Sequence, residues 1–99
     1  MSDKTKVIFR KWNKEQGGEV IAVFPELPGD FNPYRTCLSY EHVGQHGAIT
    51  LNFSSWTLPA SPAEYADLAK ELESIGYNLD IRKRSSGKDL QARIKAVGQ

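Results

Sequence analysis

The 99-residue sequence has a single cysteine, Cys37, and lacks long apolar runs. One cysteine cannot form an internal disulfide, which is typical of proteins in a reducing cytosol. The longest fully apolar run, residues 20–24, is far too short to span a membrane. The first residues also lack the apolar core of a signal peptide. We therefore expect a cytoplasmic protein that has no membrane partner.

Reaction motifs are also absent from the sequence. It contains no phosphate-binding glycine loop, no nucleophile elbow and no His-Glu-x-x-His zinc motif. No reaction is therefore indicated. The sequence does not decide whether the protein is an enzyme; it favours a non-enzymatic role and no cofactor, with zinc as the alternative. The length suits one hydrophobic core rather than two. We predict a single domain over residues 1–84, followed by a basic tail or short helix over residues 85–99.

Charge is unevenly distributed along the chain, although the formal net charge is only +1. Residues 1–14 carry a net charge of +4, residues 15–73 carry −7 and residues 82–99 carry +5. Basic ends thus flank an acidic middle, and such a distribution points to interactions at the two basic ends.

One helix is marked at both of its ends. Ser61 is followed by Pro62 and then by Glu64, which is the pattern of an N-cap with a capping box. Gly76 supplies the C-terminal stop. Between these ends, apolar residues recur at helical spacing and predict one buried stripe. The stripe consists of Tyr65, Leu68, Ala69, Leu72 and Ile75.

Alternating apolar and polar side chains, together with one short continuous apolar run, predict five strands. The strands cover residues 6–12, 19–24, 38–43, 49–53 and 77–83. The second strand is apolar on both faces, so we place it near the centre of the sheet. A short terminal helix over residues 89–97 is predicted from Leu90, Ile94 and Val97, with Ser86 as its cap.

These elements predict an α+β fold. Four or five strands form a twisted antiparallel sheet, the main helix packs across one face, and the order is ββββαβ with a short C-terminal helix. Burial of large apolar side chains, at about 1.5–3 kcal/mol each, is the main stabilising contribution. The predicted core consists of Val7, Phe9, Val20, Ala22, Phe24, Ile49, Leu51, Phe53, Leu68, Leu72, Ile75, Leu79 and Ile81.

Residues 37–47 hold the only cysteine and both histidines. Cys37, His42 and His46 are ligand types that zinc accepts, so one interpretation is a metal or small-molecule site. A second interpretation makes Cys37 a nucleophile with a histidine as its base. A third makes Cys37 a small core residue and the histidines part of a tight turn. As a binding surface, this turn would present Tyr40, His42, Gln45 and His46.

The basic ends support a nucleic-acid hypothesis. If the first and last strands are neighbours, their cations share one outer face, with an aromatic ring close by for stacking. The residues that would make these contacts are Lys6, Arg10, Trp12, Arg82, Arg84, Lys88 and Arg93.

Four segments resemble a family of small uncharacterised bacterial and phage-associated proteins. They include an Ile-Phe-Arg-Lys start, a Glu-Val-Ile-Ala-x-Phe-Pro strand and a Ser-Tyr-x-His-Val-Gly-Gln-His-Gly turn. The fourth is a Glu-Tyr…Glu-Leu…Ile-Gly-Tyr helix end. The resemblance implies a bacterial or mobile-element setting and assigns no chemistry. We therefore expect a small binding or regulatory module whose partner is another protein, with nucleic-acid binding and a metal site as alternatives.

Overall fold

The structure is a computed structural model, and it describes residues 4–12, 18–29, 32, 34–41, 45–55, 57–84 and 86–97. Within these residues the chain forms six strands, a short 3-10 helix and two α-helices. In chain order they are β1 (Thr5–Trp12), β2 (Val20–Phe24), β3 (Thr36–Glu41), β4 (Gln45–Thr50), the 3-10 helix (Phe53–Ser55), β5 (Thr57–Pro59), α1 (Pro62–Ser74), β6 (Leu79–Arg82) and α2 (Gly87–Val97). Neither described α-helix is long and apolar enough to cross a membrane.

The strands form one sheet in the order β4-β3-β2-β1-β5, and β6 also pairs with β1. β5 lies opposite residues 10–12 of β1 and β6 lies opposite residues 5–8, so two short strands share one edge. The predicted α+β architecture is confirmed. β5 is an additional strand, formed by residues outside the five predicted strands. β6 runs parallel to β1. The alternation of side chains does not specify whether two strands pair in parallel or antiparallel, and the helix between β1 and β6 in the chain permits the parallel pairing.

Both faces of β2 are buried, as the apolar pattern of residues 19–24 predicts, and both faces of β1 are buried as well. On the first face, α1 covers a cluster made of Val7, Phe9, Ala22, Phe24, Tyr40, Leu68 and Leu72. The second face carries a separate cluster made of Ile8, Ile21, Val23, Cys37, Ile49 and Phe53. Because side chains alternate along a strand, neighbouring residues of β1 and β2 enter different clusters.

Helix α1 has the ends that the sequence predicts. The Ser61 hydroxyl accepts a hydrogen bond from the Glu64 amide at 3.3 Å, and the Glu64 carboxylate accepts one from the Ser61 amide at 2.9 Å. Pro62 occupies the first turn. Gly76 follows the last turn with φ of 112°, a conformation that glycine adopts without the steric penalty of a Cβ atom.

Two isoleucines that we assigned to the core are exposed instead. Ile75 is 52% exposed and Ile81 is 44% exposed. Ile75 is the C-cap residue of α1, so it lies beyond the helical positions that the apolar periodicity describes. Ile81 belongs to β6, which has β1 on one side and no described strand on the other. An edge strand leaves its side chains less covered than a central one does.

Helix α2 is present, but its buried face differs from the predicted one. Asp89 and Arg93 are 2% and 4% exposed. The Lys6 ammonium donates to both carboxylate oxygens of Asp89, and the Arg93 guanidinium donates to the Pro25 carbonyl. Buried charges are tolerated where they are paired and hydrogen-bonded. These partners therefore allow the Asp89 and Arg93 side chains to face the interior of the protein. The predicted apolar face is half-buried or exposed at Leu90, Ile94 and Val97.

Candidate functional site

The turn between β3 and β4 is described only in part. His42, and the two residues after it, lie outside the described residues. The strands on either side of the turn are paired, with Tyr40 opposite His46 and Gln45 opposite Glu41. The binding surface predicted for this turn can therefore be followed only from its two flanks.

Cys37 and His46 lie on opposite faces of the sheet. Cys37 is fully buried in the second-face cluster. His46 is exposed and contacts the Tyr40 ring, which belongs to the first-face cluster. The fold therefore does not bring these two predicted zinc ligands to one ion. Among the residues with described side chains, no three His, Cys, Asp or Glu groups lie close enough together to hold a metal.

The Cys37 thiol is in an environment that opposes ionisation. Burial raises its pKa from an ordinary value of 9.0 to about 11, with a smaller lowering effect from Arg93 and a smaller raising effect from Asp89. Because the thiolate is the nucleophilic and metal-binding form, a thiol with this pKa is protonated and unreactive at neutral pH. The environment fits the interpretation of Cys37 as a small core residue.

His46 belongs to a polar cluster where β3 and β4 meet the end of α1. Its Nε2 atom lies 2.8 Å from the Tyr77 hydroxyl, and its ring contacts the Tyr40 ring edge-on at 4.8 Å. The Tyr40 hydroxyl donates to the Glu71 carboxylate at 2.6 Å, which is the main cause of a raised Tyr40 pKa. These contacts tie α1 to the sheet. Sequence analysis missed Glu71 and Tyr77, because each is 31 positions from its partner.

Of the predicted nucleic-acid set, three members lie at or on α2 and one lies against the second-face cluster. Lys6 and Arg93 hold α2 against the body of the protein through Asp89 and the Pro25 carbonyl. Trp12 is half-buried against the second-face cluster, and Lys88 is exposed on α2. Because Lys6 is paired with Asp89 and Arg93 is buried, these residues do not present one exposed basic surface.

The other three members, Arg10, Arg82 and Arg84, line one cleft at the edge of the sheet. The nucleic-acid hypothesis required the first and last strands to be neighbours, and β1 and β6 are. The cleft lies where β5 and β6 diverge along the edge of β1. We call it the edge cleft, and its volume is about 1070 Å³.

The edge cleft combines apolar walls with a basic rim. Its apolar lining comes from β1, from the chain around β5, from the start of α1 and from β6. The apolar residues are Ile8, Phe9, Leu51, Phe53, Pro59, Ala60, Pro62, Tyr65 and Ile81. Four cations line it, which are Arg10, Arg82, Lys83 and Arg84. One carboxylate, that of Glu64, lies among them.

Hydrogen bonds fix three of these charged groups in position, and one of them is Arg82, whose guanidinium donates to the Asp80 carboxylate at 2.9 Å. The Arg10 guanidinium donates to the Thr57 hydroxyl at 2.9 Å and to the Thr57 carbonyl at 2.7 Å. The Glu64 carboxylate accepts from the Lys11 ammonium at 2.6 Å. That bond is the largest of several effects that lower the Glu64 pKa to about 2. The carboxylate is therefore ionised and paired at neutral pH, which leaves cations in excess along the rim.

Sequence analysis found three of the four rim cations and missed Lys83. The signal was available, since Arg82, Lys83 and Arg84 are consecutive at the end of a predicted strand. The apolar walls could not be found in this way, because Ile81 fits the pattern of a core residue. Comparisons with protein-family models, with curated proteins and with solved structures find no match to the chain.

Proposed function

We propose that this chain is a small, non-enzymatic binding module that acts through contact with another protein at the edge cleft. The observation that carries the proposal is an exposed apolar surface inside a basic rim. Ile81 is 44% exposed there. Exposed apolar surface that is bordered by charged groups is characteristic of interaction sites.

A binding role is also supported by the state of the reactive groups. The Cys37 thiol is buried, and the Tyr40 hydroxyl and the His46 imidazole are each hydrogen-bonded within one cluster. The contacts of Tyr40 and His46 join helix and sheet. None of the three residues, Cys37, Tyr40 and His46, lines the edge cleft. The cleft itself offers cations and apolar side chains, which bind and orient a partner rather than transfer protons or electrons to it.

Two exposed isoleucines provide a matched test. Ile81→Glu places a charge in the edge cleft, whereas Ile75→Glu places the same charge on an isoleucine that is at least as exposed and lies outside it. Tagged wild type and both variants would be used for quantitative co-purification. We expect specific proteins to be lost with Ile81→Glu and kept with Ile75→Glu. Identical sets of bound proteins for the two variants would contradict the proposal.

The resemblance of the sequence to bacterial and phage-associated proteins supports an accompanying proposal about setting. The partner would then belong to a bacterial cell or a mobile element. The unpaired thiol of Cys37 supports a reducing compartment such as the cytoplasm.

Nucleic-acid binding is the second candidate, because Arg10, Arg82 and Arg84 converge on one cleft. Contacts to phosphates predict an affinity that falls steeply as salt rises. Fluorescence anisotropy with labelled single-stranded and double-stranded oligonucleotides, titrated at low and physiological salt, measures this directly. Lack of binding at low salt would end this candidate.

A further inference from the structure

Building on the proposed function, we infer that the occupant of the edge cleft is a short acidic segment of the partner that carries a large apolar side chain. The inference rests on three features of the cleft. They are the charge of its rim, its apolar walls, and the buried aromatic rings and acidic helix α1 that limit what can lie beside it.

The charge of the lining favours an anionic occupant. Lys83 and Arg84 are exposed at the end of β6, and Arg10 lies on the opposite side of the cleft, in β1 beside β5. A ligand between these walls therefore meets cations from both sides. Arginine forms paired hydrogen bonds with carboxylates, so aspartate and glutamate side chains match the rim.

The walls favour an apolar group between the acidic ones. Ile81 and the half-buried Tyr65 face the same cleft, and an apolar side chain placed there would remove exposed Ile81 surface from water. A purely ionic ligand would leave that surface uncovered. Acidic residues alone therefore match only part of the cleft.

The borders argue against a long polyanion. Bases stack on exposed aromatic faces, but Phe9 and Phe53 in the cleft are buried. The Tyr65 ring is stacked on Phe9 with centroids 4.3 Å apart. Helix α1, which lines one side through Glu64 and Tyr65, continues away from the cleft with further acidic residues. A nucleic-acid strand that extended along this side would meet like charge, whereas a segment of a few residues would not.

The test is a selection of random twelve-residue peptides on the full-length protein, followed by affinity measurements on synthetic copies. Lys83→Glu/Arg84→Glu reverses two exposed charges at the cleft. Lys88→Glu/Lys95→Glu reverses two exposed charges on α2 and is the matched control. Thermal unfolding of each variant establishes that it is folded before binding is measured.

We expect enriched peptides that combine aspartate or glutamate with a large apolar residue. Their affinity should fall at least tenfold with Lys83→Glu/Arg84→Glu and with Ile81→Glu, and stay within about twofold with the α2 control. Affinity should also weaken as salt rises.

The other outcomes separate the two proposals. Neutral or basic peptides whose binding is lost with Ile81→Glu would overturn the inference and leave the proposed function standing. No cleft-dependent peptide would overturn both. Oligonucleotide binding that is tighter than any peptide and sensitive to Lys83→Glu/Arg84→Glu would overturn the inference in favour of nucleic acid.

Discussion

Lys6 and Asp89 are separated by 83 positions, yet the Lys6 ammonium lies 3.0 Å from both oxygens of the Asp89 carboxylate. The same carboxylate accepts a hydrogen bond from the Ser86 backbone amide at 2.6 Å. Asp89 thus caps the start of α2 and joins it to β1 at once. The attachment of the C-terminal helix depends on a charged group that is 2% exposed.

Removing the lysine should therefore destabilise the protein strongly. Lys6→Met leaves the Asp89 charge buried without its partner, and such a change costs roughly 3 kcal/mol. Urea unfolding measures the loss. The control is Lys88→Met, an exposed lysine of α2, which should change stability by less than about 0.5 kcal/mol. Equal effects of the two substitutions would show that the pair does not hold α2.

The Cys37 thiol should make stability depend on alkaline pH. Its pKa is raised in the folded protein from 9.0 to about 11, so folding favours the protonated form. This stabilisation is complete below about pH 9 and is lost as the pH rises through about 11. We expect wild type to lose more stability than Cys37→Ala between pH 8 and 11 in chemical unfolding. Parallel curves for the two proteins would contradict the raised pKa.

The Lys11 bond should be visible in the titration of Glu64. The Glu64 pKa is lowered to about 2, mainly by this bond, so the associated stabilisation is present above pH 4.5 and is lost as the pH falls through 2. In Lys11→Met we expect the Glu64 pKa, followed by carboxyl NMR, to rise towards its ordinary value. Lys70→Met, an exposed substitution on α1, should leave it unchanged. An unshifted Glu64 pKa in Lys11→Met would contradict the assignment.

Gly29 should not tolerate a side chain. A Cβ atom there would lie 2.3 Å from the Cys37 carbonyl oxygen and 2.8 Å from the Ala48 Cβ atom. We expect Gly29→Ala to cost roughly 2 kcal/mol in thermal or urea unfolding, because backbone must move to make room. Gly87→Ala is the control, since nothing lies within 4 Å of its Cβ position. Similar stabilities for the two variants would mean that the loop around Gly29 shifts at no cost.

Local signals predicted the parts of the fold that local interactions determine. Ser61, Glu64 and Gly76 act within a few positions of the helix ends that they mark, so α1 could be located closely. The continuous apolar run of β2 likewise indicates that both faces of this strand are covered. Ile81 also fits the apolar/polar alternation of its strand, but no described neighbouring element packs fully over it. The alternation alone does not show whether another element covers a given side chain.

The C-terminal helix was located by such signals, but its buried face and the edge cleft lay beyond their reach. The buried face of α2 follows from Lys6 and the Pro25 carbonyl, which are 83 and 68 positions from Asp89 and Arg93. Apolar spacing alone favours Leu90 and Ile94 as the buried face of this helix, as we predicted. The cleft exists because β5 and β6 divide one edge of β1, and strand pairing between distant segments is not encoded in either segment alone.

That division of the β1 edge links the proposed binding cleft to the hydrophobic core. β5 ends at Pro59 and α1 begins at Pro62, while α1 ends at Ser74 and β6 begins at Leu79. The helix therefore connects the two strands that border the cleft, and its Leu68 and Leu72 belong to the first-face cluster. Natural selection for partner affinity and selection for packing beneath the helix would then act on the same thirteen residues.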